Sequence, residues 1–173
     1  MSGSCLYERF IRPMEARLIA AAWRVLRDED QARDALQDAL TRIWQHRTRL
    51  ERHPNPQAWM LRITLNAACD QLRQRTRRRQ QELTPDLTAA LCPPDAALQE
   101  RELIQRLHQE IARLSPQQRQ AVLLRLIEGL SYTEVAVALG CTEQTARVHV
   151  ERGRKRLGRR LTDLHPALGS DLR

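Results

Sequence analysis

The residues best equipped for chemistry lie toward the C-terminus, in SYTEVAVALGCTEQTARVHVERGRKRL, residues 131–157. Ser131 can cap a helix, and Glu134 stands three residues later at the capping-box position. Tyr132, Val135, Ala136 and Leu139 give that helix an apolar face, Gly140 makes a turn, and Thr142 can cap the next helix. In the second helix Ala146, Val150, Gly153 and Leu157 recur at i, i+4, i+7 and i+11 and form a buried stripe. The opposite face carries Arg147, Val148, Glu151, Arg152, Arg154 and Lys155. A stripe of this kind behind an Arg-rich face suits a recognition helix in a duplex major groove. There Arg pairs with guanine, Glu accepts from cytosine and Val touches a thymine methyl. An ordinary helical hairpin with a solvated basic face is the alternative. The glycine turn, the two caps and seven basic residues between Arg147 and Arg160 weigh against it.

A second constellation lies between residues 56 and 79. Leu61, Leu65, Ala68 and Leu72 form one apolar helix face, while Trp59, Arg62, Asn66 and Arg73 fall on another. Arg75, Arg77, Arg78 and Arg79 extend its basic end. An aromatic ring, an amide and several guanidiniums on one face suit stacking on unpaired bases and gripping their backbone. Equally, Trp59 could be core and the Arg run simply solvated. A third feature is the acidic stretch from Asp28 to Asp38. Asp34, Gln37 and Asp38 could dock a basic protein surface, or the acids could merely compensate a helix dipole.

No catalytic arrangement emerges, since phosphate loops, GxSxG and HExxH motifs are absent. Cys5, Cys69, Cys92 and Cys141 match no metal-ligand spacing, and the five histidines are dispersed. We therefore expect no metal and no cofactor, and free thiols in a reducing cytoplasm. No apolar run approaches membrane-spanning length, and Met1 to Tyr7 show no secretory signal, so no membrane insertion is expected. The net charge of +8 points to a polyanionic partner, and Lys155 is the only lysine, so Arg supplies the rest.

The elements that must position these residues are helices. Aromatics are only 3% of the chain and no alternating apolar run occurs, which favours an all-α fold. The first helix is expected from about Leu6 to Leu26. The second begins near Asp28 and buries Ala32, Ala35, Leu36, Ala39, Leu40, Ile43 and Trp44. A polar segment with Pro54 and Pro56 ends it, and the third helix runs from about Pro56 to Arg78. After the proline-bearing stretch TPDLTAALCPPD, further helices are expected over about 97–114, 116–128, 132–139 and 143–161. The organisation is thus two small helical domains, 1–83 and 96–165, joined by a flexible linker, 84–95, with a tail over 166–173.

The same residues carry a family resemblance. DEDQARDALQDALTRIW followed by PQAWMLRITLNAACDQLRQRTRRR resembles region 2 of bacterial sigma factors. LSPQQRQAVLLRLIEGLSYTEVAVALGCTEQTARVHVERGRKRL resembles their region 4. With only a short linker between the two, the chain is similar to the extracytoplasmic-function (ECF) group of the sigma-70 family. The resemblance implies a non-enzymatic subunit that binds core RNA polymerase, through its β′ and β subunits, and directs it to promoter DNA. It implies that Arg147, Val148, Glu151, Arg152 and Lys155 meet the duplex −35 element. Trp59, Arg62, Asn66 and Arg73 would serve the −10 element, whose bases are captured as the strands separate. Asp34, Gln37 and Asp38 would dock on the β′ clamp, and an anti-sigma factor is an implied partner. The residues differ from the family's habits at Gln144-Thr145-Ala146, Val148 and Gly153, which bears on the −35 sequence read. A stand-alone helix-turn-helix regulator would explain 131–157 as well, but not Trp59, Arg62 and Asn66 on one helix face.

Overall fold

The computed structural model describes residues 3–82 and 96–162, which form helices joined by short turns with no strand among them. The expected linker, 84–95, and tail, 166–173, lie outside the described residues. The N-terminal helix is not one continuous rod. It divides into α1 (Gly3–Leu6), a π-helical turn (Tyr7–Ile11), a 3-10 turn (Arg12–Met14) and α2 (Glu15–Leu26). Pro13 lacks an N–H and its ring collides with the carbonyl four residues back, so an α-ladder cannot run through it. The apolar face survives the irregularity, because Leu6, Ile11, Met14 and Leu18 are all buried.

Helix α2 ends at Arg27, whose left-handed φ of 53° lets its N–H donate to the Trp23 carbonyl at 2.8 Å. Asp28 then accepts from the Gln31 N–H at 3.0 Å and opens α3 (Glu29–Gln45). Ala32, Ala35, Leu36, Ala39 and Ile43 are buried as the periodicity requires, but Trp44 is 43% exposed at the edge of the stripe. A short helix, α4 (Arg47–Arg52), occupies part of the segment expected to be a polar loop, and it buries Leu50. Asn55 caps the central helix α5 (Pro56–Glu82) by accepting from the Ala58 N–H at 3.0 Å.

The C-terminal block starts with α6 (Ala96–Arg113). Ser115 caps α7 (Pro116–Val122), which runs on through a π-helical turn (Leu123–Ile127). Gly129, at φ 69°, allows the Leu130 N–H to reach the Leu124 carbonyl at 3.1 Å. The helix-turn-helix consists of α8 (Tyr132–Leu139) and α9 (Glu143–Thr162).

The two blocks pack on one another. Helix α5 touches α2 and α3 on the N-terminal side and also α6, α7 and α8 of the C-terminal block. It can do so because it is apolar around much of its circumference: Trp59, Met60, Leu61, Ile63, Leu65 and Cys69 are all buried. Buried residues of both blocks form one continuous cluster, from Leu6 through Leu72 and on from Ala121 to Val150. A smaller cluster of Ile111, Leu114, Val122 and Leu157 belongs to the C-terminal block alone.

Two features of this packing give measurable consequences. A Cβ at Gly153 would lie 2.5 Å from Val122 Cγ2 and 3.4 Å from the Gln118 carbonyl, so glycine is what lets α9 approach α7. Val122 is stiff at χ1 and cannot easily turn aside. Gly153→Ala gains about 1 kcal/mol of helix propensity but overpacks at a cost of about 1–3 kcal/mol. We expect a lower denaturant midpoint, with less loss in a Val122→Ala background. A raised midpoint would refute the close approach.

Across the block boundary, His108 on α6 hydrogen-bonds the Val25 backbone, and burial, then Arg75 and Arg27, holds its imidazole below the usual value of 6.5. The unfolded chain therefore binds the proton first. The stability this neutral ring supports is complete above pH 6.5 and is lost as pH falls through the lower folded value. Denaturation midpoints should fall on acidification, and His108→Gln should flatten that dependence. An unchanged slope in the variant would show that His108 is not responsible.

Candidate nucleic-acid interface

The helix-turn-helix is built from short-range hydrogen bonds. The Ser131 hydroxyl accepts from the Glu134 N–H at 3.2 Å, and the Ser131 N–H donates to Glu134 Oε2 at 2.8 Å. The Ser131 N–H and the Ser131 hydroxyl, which donates to Glu134 Oε2 at 2.8 Å, hold the Glu134 carboxyl below its ordinary range. Gly140 adopts φ 70° and its N–H donates to the Val137 carbonyl at 3.3 Å, which turns the chain. Thr142 Oγ1 then accepts from the Thr145 N–H at 3.2 Å and starts α9.

Within α9 the expected stripe of Ala146, Val150, Gly153 and Leu157 is buried. The other face is open: Arg147, Glu151, Arg152 and Lys155 are exposed and Val148 is half-buried. Arg147 is already oriented. Its Nη2 and Nε donate to Glu143 Oε1 at 2.7 and 3.2 Å, and its guanidinium lies 4.3 Å from the centre of the Tyr132 ring. The hydrogen bond from Arg147, and after it that from Thr133, depresses the Glu143 carboxyl. Arg152 has no such partner among the described residues, so its guanidinium is available to a base edge.

The face of α5 is different. Trp59 is only 2% exposed, so of its two readings the core one holds in this conformation, and the ring is not presented for stacking. It lies 6.0 Å from the His53 ring, whose pKa is lowered chiefly by burial. Arg62 reaches across the block boundary and donates from Nη1 to the Ala138 carbonyl of α8 at 2.7 Å. Burial, then the charge of Arg49, depresses its pKa. Trp59 Nε1 and Arg62 Nε find no hydrogen-bond partner among the described residues. Leaving a buried donor unpaired costs about 1–3 kcal/mol. Asn66 is half-buried, and so is Arg73. Arg73 lines a cleft of about 650 Å³ with Arg42, Asp70, Arg77 and Arg113, in which Arg42 donates to Asp70 at 3.2 Å. The four residues expected on one open face are therefore divided between a covered stretch and this basic cleft.

Asp34, Gln37 and Asp38 are exposed together on α3. The exposed Trp44, with the Arg47 guanidinium 5.9 Å from its ring centre, follows them along the same helix. Cys5, Cys69 and Cys141 are free thiols, and burial pushes Cys69 up to about 12, which leaves it unreactive as a nucleophile. Among the described residues no helix is long and apolar enough to cross a membrane.

One charged site was not foreseen. The Glu128 side chain is 1% exposed and is held by Arg24 Nη1 at 2.6 Å and Arg17 Nε at 3.4 Å, both from α2. Arg17 Nη2 also donates to the Glu128 carbonyl at 3.4 Å. The partners lie 104 and 111 residues away, so no local spacing could reveal them.

Comparison with known proteins agrees with this geometry. Residues 10–78 match the family model for sigma-70 region 2, and residues 104–157 match that for sigma-70 region 4. The chain is 30% identical to the ECF RNA polymerase sigma factor SigE of Mycolicibacterium smegmatis over 155 residues, 87% of this chain and 60% of that protein. It thus spans less than two thirds of that relative's length. It is also 30% identical over 146 residues to the RNA polymerase sigma factor CarQ of Myxococcus xanthus, covering 82% of this chain and 80% of CarQ. A co-crystal structure of the sigma factor RpoE with the anti-sigma factor NepR from Bartonella quintana superposes with a TM-score of 0.53 at 27% identity, covering 90% of this chain and 96% of that one.

Proposed function

The chain belongs to the ECF group of the sigma-70 family of RNA polymerase sigma factors, and on that premise we propose that it binds core polymerase and selects promoters at two points. It is not an enzyme, because RNA synthesis belongs to the polymerase. The C-terminal helix-turn-helix reads the duplex −35 element. Arg147 and Arg152 take guanine edges, Val148 and Glu151 set discrimination at neighbouring bases, and Lys155 grips phosphate. The N-terminal block captures −10 bases as the strands part. Asn66 contacts an extruded base, Arg62 joins it once uncovered, and Arg73 holds the backbone. Trp59 supports this face from the core, in place of the stacking role first expected of it.

Asp34, Gln37 and Asp38 dock on the β′ clamp, and region 4 meets the β subunit. The protein works where the polymerase is, in the cytoplasm. An anti-sigma factor is a further proposed partner, by analogy with the Bartonella quintana complex.

The observation that carries this reading is the open, arginine-bearing face of α9 on a capped helix-turn-helix, in one chain with a region 2 block. Co-purification with core polymerase tests it. The chain is expected to be retained by core, and a triple Asp34→Ala, Gln37→Ala, Asp38→Ala variant to be retained much less. Absence of core binding by the unaltered chain would overturn the proposal.

A further inference from the structure

Arg147 does not project freely from α9. Glu143, one turn earlier on the same helix, holds it through a single oxygen: Arg147 Nη2 and Nε donate to Glu143 Oε1 at 2.7 and 3.2 Å. The other carboxylate oxygen, Oε2, accepts from the Thr133 hydroxyl of α8 at 2.8 Å. The carboxylate thus bridges the two helices of the helix-turn-helix, with both its oxygens engaged. The Arg147 guanidinium also lies 4.3 Å from the centre of the Tyr132 ring of α8, where the cation is drawn to the negative face of the ring. Arg125, whose Nη1 donates to the Leu130 carbonyl at 2.8 Å, brings a second guanidinium to 4.7 Å from that ring. Contacts from both helices therefore fix the direction of the Arg147 fork.

Stability does not explain the arrangement, because an exposed ion pair one helical turn apart contributes little. General affinity for DNA does not explain it either, since a carboxylate on a DNA-facing surface repels phosphate. What the carboxylate supplies is direction. A free arginine side chain loses much rotamer freedom on meeting a base, and a pre-set one loses less. With Nε and one N–H of Nη2 turned to Glu143, the end of the fork formed by Nη1 and Nη2 is left open. A pair of donors of this kind meets guanine O6 and N7. We propose that Glu143 sets the specificity of the −35 reader: anchored by Thr133, it aims Arg147 at one guanine edge and keeps it from the phosphate backbone. Glu143 is a positioning residue, because it acts through Arg147, and its negative charge adds the repulsive element on which discrimination often depends. The inference rests on the −35 reading proposed above.

Core polymerase carrying the chain, presented with duplexes randomised across the −35 element, tests this role when the bound fraction is sequenced. Arg147→Ala should erase a guanine preference at one position, which identifies the base pair that Arg147 faces. Glu143→Ala should weaken the preference at that same position by about fivefold or more, the lower end of what one bidentate base contact supplies. Its binding to a duplex of alternating A and T, which has no guanine edge, should stay level or rise, because a phosphate-repelling charge is gone. Its melting temperature should be unchanged. Glu143→Gln keeps an oxygen that accepts from Arg147 and should restore most of the preference. Thr133→Val, which leaves Glu143 and Arg147 in place, should shift the preference in the same direction by less. A guanine preference untouched by Glu143→Ala would overturn the role of Glu143 alone, as would a uniform loss of binding to all duplexes. Preferences that Arg147→Ala leaves unchanged would overturn the groove reading itself, and the role of Glu143 with it.

Discussion

Arg152→Ala is expected to lower transcription from a cognate promoter by about 5- to 150-fold, the equivalent of the 1–3 kcal/mol that one bidentate base contact supplies. The loss should appear as weaker duplex binding at the −35 element, and it should shrink when the base pair facing Arg152 is changed in the promoter. Arg152 gives the cleanest test because it is exposed and has no partner among the described residues. Arg147→Ala should act in the same direction but also remove the bond to Glu143 and the contact over Tyr132. Its effect therefore mixes recognition with the local order of α9, and a melting curve must accompany it. Quantitative footprinting across a set of −35 variants measures both. Unchanged output from both substitutions would place the major groove elsewhere on the protein.

Asn66→Ala should act at a different step. Asn66 is half-buried on the same helix as Arg62, in the block that does not carry α9, so duplex binding at −35 should be preserved. Strand opening should fall by about 5- to 150-fold if one captured base contributes the 1–3 kcal/mol typical of single-strand contacts. Permanganate reactivity of unpaired thymines across the −10 element reads opening directly, and a filter-binding assay reads the closed complex. A proportional loss in both would assign Asn66 to structure rather than to base capture. Together the two substitutions divide the promoter between the two blocks.

Much of this arrangement was legible in the residues. The stripe of Ala146, Val150, Gly153 and Leu157, and that of Leu61, Leu65, Ala68 and Leu72, follow from helical periodicity, and all are buried. The caps at Asp28, Ser115, Ser131 and Thr142 were readable because each is a local hydrogen bond between a side chain and a backbone N–H three residues on. The family resemblance rested on two separate motifs and reached the same architecture.

What escaped was non-local or geometrically fine. Trp59 lies on a polar-looking face, and only the packing of α5 against two sets of helices makes that position core. Periodicity places Trp44 in the stripe of α3, and it stands exposed at the edge of that stripe, where a small rotation decides the outcome. The helix Arg47–Arg52 is too short for a periodic signal and is overshadowed by Pro54 and Pro56. The division of the first helix at Pro13 was present in the sequence as a proline, yet the apolar pattern runs through it. Glu128 with Arg17 and Arg24, and Arg62 with Ala138, join residues far apart in the chain, and spacing along a helix carries no trace of them. Gly153 looked like a helix-weakening departure from the family's habits. The 2.5 Å distance from its virtual Cβ to Val122 gives the reason it is glycine.

On the reading proposed above, this chain gives core polymerase its choice of start sites. Run-off transcription on fragmented genomic DNA of the host, with core polymerase alone and with core plus the purified chain, tests it most directly. A set of new, discrete 5′ ends should appear only with the chain and share two motifs at a fixed spacing upstream. Arg152→Ala should deplete the ends that depend on the upstream motif. Transcripts identical to those of core alone, with the chain demonstrably bound to core, would contradict that reading.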